Sequence, residues 1–473
     1  MNDANVTNMN NTNTNTNTNT NTNTNTILEP IIPISSTFSK EQEEVFECIK
    51  RGDNIFMTGP GGSGKTYLIQ ELYKWYTQTE CKNIQVCALT GCAAVLLNCN
   101  AKTLHSWAGI GLANGDSIEI INKVSYNKFK RKNWMNVNIL IIDEVSMLSN
   151  KLLNILDGVA KKIRKNNLPF GGIQVLFSGD FYQLPPIGNS DDLESKQFCF
   201  ESPIWKSIFH KEIQLKQIFR QTEETYSNIL NQIREGKLSK KGYNLLMSRC
   251  IPCTDDSIKP TKILPRRNDA NKINENEMKR LNDEERKYKM EQIQTLPDED
   301  RNIIPKEQLM SELETFQNNL IAEKELILKI GAQVMCIVNI TTDGINPIVN
   351  GSRGIIINFT EGKNPLPIVK FKCGLVKTVN YYVWELDDKK GYGIKQIPLI
   401  LAWALTIHKS QGSTLELAEI DIGNGIFECG QSYVALSRVK NIEGLYLTSF
   451  NPVKIKINRK VQEYYKSLGG TGL

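Results

Sequence analysis

The run GPGGSGKT, residues 59 to 66, decides how the rest of the chain is read. It fits the phosphate-loop pattern of Gly, four free positions, Gly, Lys, then Ser or Thr. Gly59, Gly61, Gly62 and Gly64, with Pro60 and Ser63 among them, let the backbone turn tightly and approach a polyphosphate closely. Successive N–H groups and the start of the following helix then face the anion. Lys65 can reach the terminal phosphates, and the Thr66 hydroxyl can take a place on Mg²⁺. The flanks agree: Asn54 to Thr58 (NIFMT) reads as a short strand, and YLIQELYKWY from Tyr67 has helical apolar spacing. A nucleotide site on an α/β scaffold is the expectation.

Composition limits what surrounds it. A chain of 473 residues with 40% apolar content suits a soluble globular protein, with room for roughly two to four domains. Apolar runs such as PLILAWALTI near residue 400 are too short to cross a bilayer, so no membrane partner is expected. No basic stretch followed by an apolar run opens the chain, so no secretory leader is expected either. Eleven cysteines without framework spacing point to a reducing compartment, and three histidines leave the CxxC of Cys250 and Cys253 without partners for zinc. A net charge of +6 permits a nucleic-acid partner without arguing for one. Residues 11 to 26 repeat Asn-Thr and have no packable face, so residues 1–37 read as a disordered tail.

Upstream of the loop, Ser39 to Gln42 opens a helix carrying Val45, Phe46 and Ile49 on one face. Gln42 suits a capping box with Ser39; its amide equally suits the donor and acceptor on adenine's edge. Downstream, VNILIIDEVSML (137–148) is an apolar strand ending in Asp143 and Glu144, which places two carboxylates at the sheet edge beside the loop. Asp143 would hold Mg²⁺ and Glu144 would polarise water. IQVLFSGDFYQLPP (173–186) repeats the design and sets Gln183 where it could sense a terminal phosphate. Arg220, on the otherwise apolar LKQIFRQ, needs a partner: a structural ion pair, or a γ-phosphate across a cleft. Thr103, His105 and Trp107 lie in a glycine-punctuated loop, and KVSYNKFKRKNW (123–134) interleaves basic and aromatic side chains, as a single-strand groove does. Residues 282–329 are heavily charged and read as a mostly helical arm broken by Pro297 and Pro305. Short β-type runs fill 330–397, suggesting a small barrel. LAWALTIHKSQGSTLE (401–416), with Thr406, His408, Lys409 and Gly412, and GQSYVALSRVKN (430–441), with Arg438, return to α/β character.

These stretches together resemble one family. FSKEQEEVFECIKRGDNIFMTGPGGSGKT, LLNILDGVAKKIRKNNLPFGGIQVLFSGDFYQLPPI, HKSQGSTLE and SYVALSRVKN occur in the order found in the petite-integration-frequency (PIF) family of superfamily-one DNA helicases. The resemblance covers about residues 38 to 450. It implies two RecA-like domains, the first (38–211) with a small wedge insertion and the second split into 212–340 and 398–473, with an SH3-like β domain at 341–397. It implies that Gln42 reads adenine and that Gly412 belongs with the nucleotide-binding residues. It assigns Lys65, Thr66, Asp143, Glu144 and Gln183 the roles above, with Arg220 and Arg438 reaching the phosphates from the second domain. Thr103, His105, Thr406, His408 and Lys409 would border single-stranded DNA.

The implied activity is ATP- and Mg²⁺-dependent translocation on single-stranded DNA, 5′ to 3′, with unwinding at duplex junctions by a monomer. Relatives act in replication, repair, recombination and telomere upkeep. A nucleic-acid-binding scaffold with a vestigial ATPase is the alternative of another class. Within the enzymes, a RecD-like or an RNA helicase is the nearest rival. The setting is intracellular, with nucleus, cytoplasm and a viral replication site all left open.

Overall fold

The structure, a computed structural model, describes residues 38–469 apart from 81, 98, 112, 190, 222, 254–258, 295–305, 341–347 and 386–390. The Asn-Thr tail, Pro297 and Pro305 therefore lie outside the described residues.

Six strands build the first sheet: β1 (Ile55–Thr58), β2 (Ile84–Ala88), β3 (Lys102–Thr103), β4 (Ile139–Asp143), β5 (Gln174–Gly179) and β6 (Lys211–Gln214). All pair in parallel in the order β3-β2-β4-β5-β1-β6. β1 and β4 are buried at every position, as parallel strands covered on both faces must be. Alternation splits them between two cores. Ile55 and Met57 pack with Leu68, Ile69 and Leu72 of helix Lys65–Trp75, while Phe56 packs with Phe177, Phe181 and Trp205 on the other face. Because the strands are parallel, β1, β4 and β5 end at one edge, and the phosphate loop, Asp143 and Asp180 emerge there together.

Beyond this sheet comes β7 (Thr261–Leu264), then the arm strands β8 (Arg286–Lys289), β9 (Glu291–Gln294) and β10 (Glu325–Leu328). Short strands follow: β11 (Gln333–Cys336), β12 (Arg353–Phe359), β13 (Pro367–Phe371), β14 (Val376–Thr378), β15 (Tyr382–Glu385), β16 (Tyr392–Gln396) and β17 (Leu399–Leu401). The chain closes with β18 (Ala404–Thr406), β19 (Ala418–Ile422) and β20 (Leu445–Phe450). A second parallel sheet runs β18-β7-β19-β20, so the segments holding Arg438 and Lys409 hang from a sheet of their own.

The arm differs from the helical pattern expected of 282–329. β8 pairs antiparallel with β10, and β9 joins β16 and β15 in a three-stranded sheet; helix Lys306–Asn319 is the helical part. The reason is burial. Leu326 and Leu328 go into the core two residues apart, with Tyr288 opposite Leu326, a period of two that the surrounding Lys and Glu disguise. β11 to β14 and β17 form a five-stranded antiparallel-paired sheet beside it.

The last helix, Arg459–Ser467, also departs from expectation. Chain order puts it with the second domain (398–473), yet its Val461 and Tyr465 are buried among the core residues of the first sheet. The chain thus crosses back to where it started. No helix among the described residues is long and apolar enough to cross a membrane.

Candidate nucleotide site between two parallel sheets

The phosphate loop takes its shape from positive backbone angles that side chains resist. Gly62 and Gly64 have φ of 88° and 82°. A Cβ on Gly62 would lie 2.5 Å from the Arg220 Cβ, and one on Gly64 2.5 Å from the Gln42 amide nitrogen. Neighbouring chain presses on the loop from outside. Leu215 N–H donates to Thr58 O and Phe219 N–H to Gly62 O, both at 2.8 Å. The Lys65 ammonium curls over the loop, donating to Gly59 O at 2.7 Å and Pro60 O at 3.0 Å. Burial pushes its pKa down, opposed by the fields of Asp180, Glu144 and Asp143.

The capping reading of Gln42 has geometry behind it, and the same amide lies against the phosphate loop. Ser39 N–H donates to Gln42 Oε1 at 2.9 Å and Gln42 N–H to Ser39 Oγ at 3.3 Å, a complete capping box. The other end of the same amide reaches Ser63 O in the phosphate loop at 3.5 Å. One side chain is both cap and loop neighbour.

Asp143 is buried where β4 ends, and burial raises its pKa while Lys65 draws it back. Glu144 follows with φ 58° and ψ 39°, a left-handed conformation that a side chain adopts at a cost. That turn swings its carboxylate away from the strand axis toward the second sheet, where Gln411 Nε2 donates to Glu144 Oε2 at 3.0 Å. Loss of solvation, then the nearby Asp143 charge, pushes Glu144 up to about 7. Gln183 is buried, and its Oε1 accepts no hydrogen bond among the described residues. Such an atom is ready for a donor. Among the described residues no cluster of three acidic, His or Cys side chains could cage a metal. A hydroxyl at Thr66 and a carboxylate at Asp143 instead suit Mg²⁺, which keeps water and phosphate oxygens as its other ligands.

Two guanidinium groups meet at one turn. Arg220 Nη1 donates to Ser437 O at 3.1 Å, and Arg438 Nη2 donates to Ser437 Oγ at 2.8 Å. Arg438 is 2% exposed; burial and then the Arg220 charge pull its pKa down to about 9, opposed by Glu144. Arg220 itself sits on the segment that leaves β6 and crosses the loop. Gly412, with φ of 81°, brings the second sheet's connection close to Leu96 of helix Gly91–Leu97; a Cβ there would lie 2.4 Å from Leu96 Cδ1.

The residues expected to border a nucleic-acid strand divide between the sheets. Thr103 ends β3 and His105 follows on helix Leu104–Ala108, its pKa lowered by burial. Thr406 ends β18 and caps helix Ile407–Ser410, accepting from Lys409 N–H at 3.1 Å. Lys409 pairs with Glu323 at 3.1 Å, beside a cavity of about 380 Å³ between helix Arg267–Arg280 and β10. His408 is half-buried, which lowers its pKa. Within 123–134, Trp134 is buried and donates to Ala108 O, whereas Tyr126 is exposed, so this stretch is partly core.

Several site groups escaped the sequence reading. Gln411 lies in HKSQGSTLE next to Gly412, so its motif was in view but its partner Glu144 was not. Tyr433 is the fourth residue of GQSYVALSR and accepts from the phosphate loop. Asp180 lies in IQVLFSGDFYQLPP three residues before Gln183, and its partner Arg234 lies on a helix that no motif marks. Tyr465 had no signal at all.

A family profile described as PIF1-like helicase matches residues 37–243, and one described as DNA helicase Pif1, 2B domain, matches residues 313–359. The ATP-dependent DNA helicase PIF1 of Danio rerio is 34% identical over 441 residues, covering 93% of this chain and 65% of the relative. The chain thus spans somewhat less than two thirds of the curated relatives it matches. The crystal structure of the Pif1 helicase from Candida albicans superposes with a TM-score of 0.73 at 34% identity, covering 91% of this chain and 99% of that one. That of the Bacteroides Pif1 helicase in complex with ADP-AlF3 and single-stranded DNA gives 0.63 at 28%, covering 91% and 98%.

Proposed function

Since the chain belongs to the PIF1-like helicase family, we propose that it is an ATP-dependent DNA helicase, converting ATP hydrolysis into movement along single-stranded DNA and separation of duplex at junctions. One observation carries this reading. Glu144, at the end of a first-sheet strand, is held by Gln411 from the second sheet, and Arg438 lies close enough to act on its charge. A hydrolytic carboxylate whose partners come from another sheet has a reactivity that depends on how the two sheets meet.

In this proposal Gln42 reads adenine and the loop amides with Lys65 hold the phosphates. Thr66 and Asp143 would hold Mg²⁺, which supplies charge neutralisation on the phosphate oxygens when bound. Glu144 takes a proton from water, Gln183 contacts the γ-phosphate, and Arg220 and Arg438 stabilise charge on the transferred group. Gly412 lets the second sheet approach Leu96 closely. Both arginines already share Ser437, so engaging a phosphate means exchanging neutral acceptors for charged ones. That exchange favours a closed cleft, and product release favours its reopening. Thr103 and His105 on one sheet, and Thr406, His408 and Lys409 on the other, would grip the strand in alternation. Grip through phosphates and stacked bases is tolerant of sequence and sensitive to salt. Motion is 5′ to 3′ in this proposal, as in the resembling family.

The experiment compares ATP hydrolysis with and without single-stranded DNA in the wild type and in Lys65→Ala. DNA should accelerate the wild type, and Lys65→Ala should be inactive while still binding DNA. Absence of hydrolysis in both would end the helicase reading. Duplexes with only a 5′ or only a 3′ tail test direction, and unwinding of the 3′-tailed duplex alone would reverse it.

A further inference from the structure

Gly61 N–H donates to the hydroxyl of Tyr433 at 2.8 Å. The phenol comes from helix Gln431–Leu436, so a first-sheet loop amide is bound by a second-sheet side chain. Tyr433 is 2% exposed and is held in place by its own helix. The neighbourhood is charged on every side. Asp180, Arg234 and Arg438 all act on the Tyr433 phenol, Tyr433 in turn acts on Arg220, and burial keeps its hydroxyl protonated by raising its pKa to about 12.

The position along the loop matters. The Lys65 ammonium rests on Gly59 O and Pro60 O, at the same end of the loop as Gly61. Lysine in this motif serves the β- and γ-phosphates. The Gly59–Gly61 end is therefore the end that meets the terminal phosphate, and Tyr433 stands on it. A phenol hydroxyl carries one proton and two lone pairs. In Tyr433 one lone pair takes Gly61 N–H, and among the described residues the proton is given to no acceptor.

We propose that Tyr433 contacts the terminal phosphate: its hydroxyl, oriented by Gly61 N–H, donates to a γ-phosphate oxygen and so distinguishes nucleoside triphosphate from diphosphate. This rests on the reading of the cleft as an ATP site. The contact joins the sheet that holds the nucleotide to the helix that leads into Arg438, five residues after Tyr433 and two beyond the helix end. Triphosphate thereby fastens helix Gln431–Leu436 to the loop, and diphosphate, which lacks the acceptor, leaves it fastened by Gly61 alone.

Tyr433→Phe removes the oxygen and leaves the ring, so the packing of a buried helix is kept. Binding of the slowly hydrolysed triphosphate ATPγS and of ADP, each with Mg²⁺, is measured by titration of the full chain. A lost hydrogen bond to a charged group should weaken ATPγS about tenfold or more, while ADP stays within about twofold. Equal weakening of both nucleotides, or of neither, would overturn the contact. A melting temperature matching the wild type's, read alongside, excludes general loss of structure. If the wild type binds neither nucleotide, the ATPase reading itself falls and this contact falls with it. If the wild type prefers triphosphate and the Phe variant keeps that preference, only the contact is lost.

Discussion

Arg234 grips Asp180 with two parallel hydrogen bonds, Nε to Oδ2 at 2.9 Å and Nη2 to Oδ1 at 2.8 Å, and both side chains are buried. Asp180 follows β5 of the first sheet, three residues before Gln183. Arg234 ends helix Glu224–Arg234, whose Tyr226, Ile229, Leu230 and Ile233 belong to the core of the second. The guanidinium also lies 4.6 Å from the Tyr182 ring centroid and 5.3 Å from that of Tyr465. This buried bidentate pair ties the two halves together at the loop that carries the proposed phosphate sensor.

The costs of removing the two partners should not add. Arg234→Met leaves Asp180 charged, buried and unpaired, a change expected to cost about 3–5 kcal/mol. Asp180→Asn combined with Arg234→Met removes the stranded charge, so the double variant should be less destabilised than the two single variants summed. Denaturant midpoints of the four proteins test this. A strictly additive result would mean that the pair is not coupled, despite its geometry.

Tyr465 extends the same network to the phosphate loop. Its hydroxyl lies 2.6 Å from Thr58 Oγ1 and accepts from Phe181 N–H at 3.2 Å. Tyr465→Phe leaves both buried groups short of a partner and should cost about 1–3 kcal/mol. Arg459→Ala, on the same helix but breaking only an exposed pair with Glu463, should change stability by less than about 0.5 kcal/mol. Thermal melting of the two variants gives the comparison. Equal effects would show that the last helix is merely laid on the surface.

What could be read beforehand follows from how local each signal is. The phosphate loop, the strand before Asp143 and the strand before Asp180 each declare themselves within a dozen residues, because a strand buried on both faces is a run of apolar residues with a polar end. The pairings of Glu144 with Gln411, Asp180 with Arg234 and Gly61 with Tyr433 join residues 267, 54 and 372 positions apart, and no local pattern encodes them. The arm misled for a different reason: Glu and Lys at the exposed positions of β8 and β10 favour helix by propensity, while tertiary burial of Tyr288, Leu326 and Leu328 selects strand. The last helix misled because sequence continuity suggests the second sheet, whereas Val461 and Tyr465 find their apolar partners in the first.

Lys409 gives a test of the proposed strand grip. Its pairing with Glu323 at 3.1 Å is partly exposed, so the bond is weak and a DNA phosphate can displace it. Glu323→Gln removes the competitor and should tighten single-stranded DNA binding about two- to fivefold at low salt. Lys409→Ala should weaken binding and reduce the slope of log affinity against log salt by about 0.7, one phosphate's share. Titrations of a fluorescent oligonucleotide at several salt concentrations measure both. Tighter binding by Lys409→Ala, or no response to Glu323→Gln, would place the strand elsewhere.

Glu144 couples activity and stability to pH with opposite signs. Its carboxyl is pushed up to about 7 by burial and by Asp143. As the proposed base it would work only when ionised, so ATP hydrolysis should rise about tenfold per unit below pH 7 and level off above it. The folded chain holds this proton more tightly than the unfolded chain, whose glutamate titrates near the ordinary value of 4.5. The stability contributed by the proton is therefore fully present below about 4.5 and is lost as pH rises through about 7. Glu144→Gln fixes the neutral form. It should lower turnover by about 10²–10⁴, while melting at pH 8 at or above the wild-type temperature and with less dependence on pH. Hydrolysis rates and melting temperatures of both proteins between pH 5.5 and 8.5 decide it. A flat rate profile would remove Glu144 as the base. Parallel melting curves would show that its carboxyl titrates normally and that the cleft, as it stands, does not desolvate it.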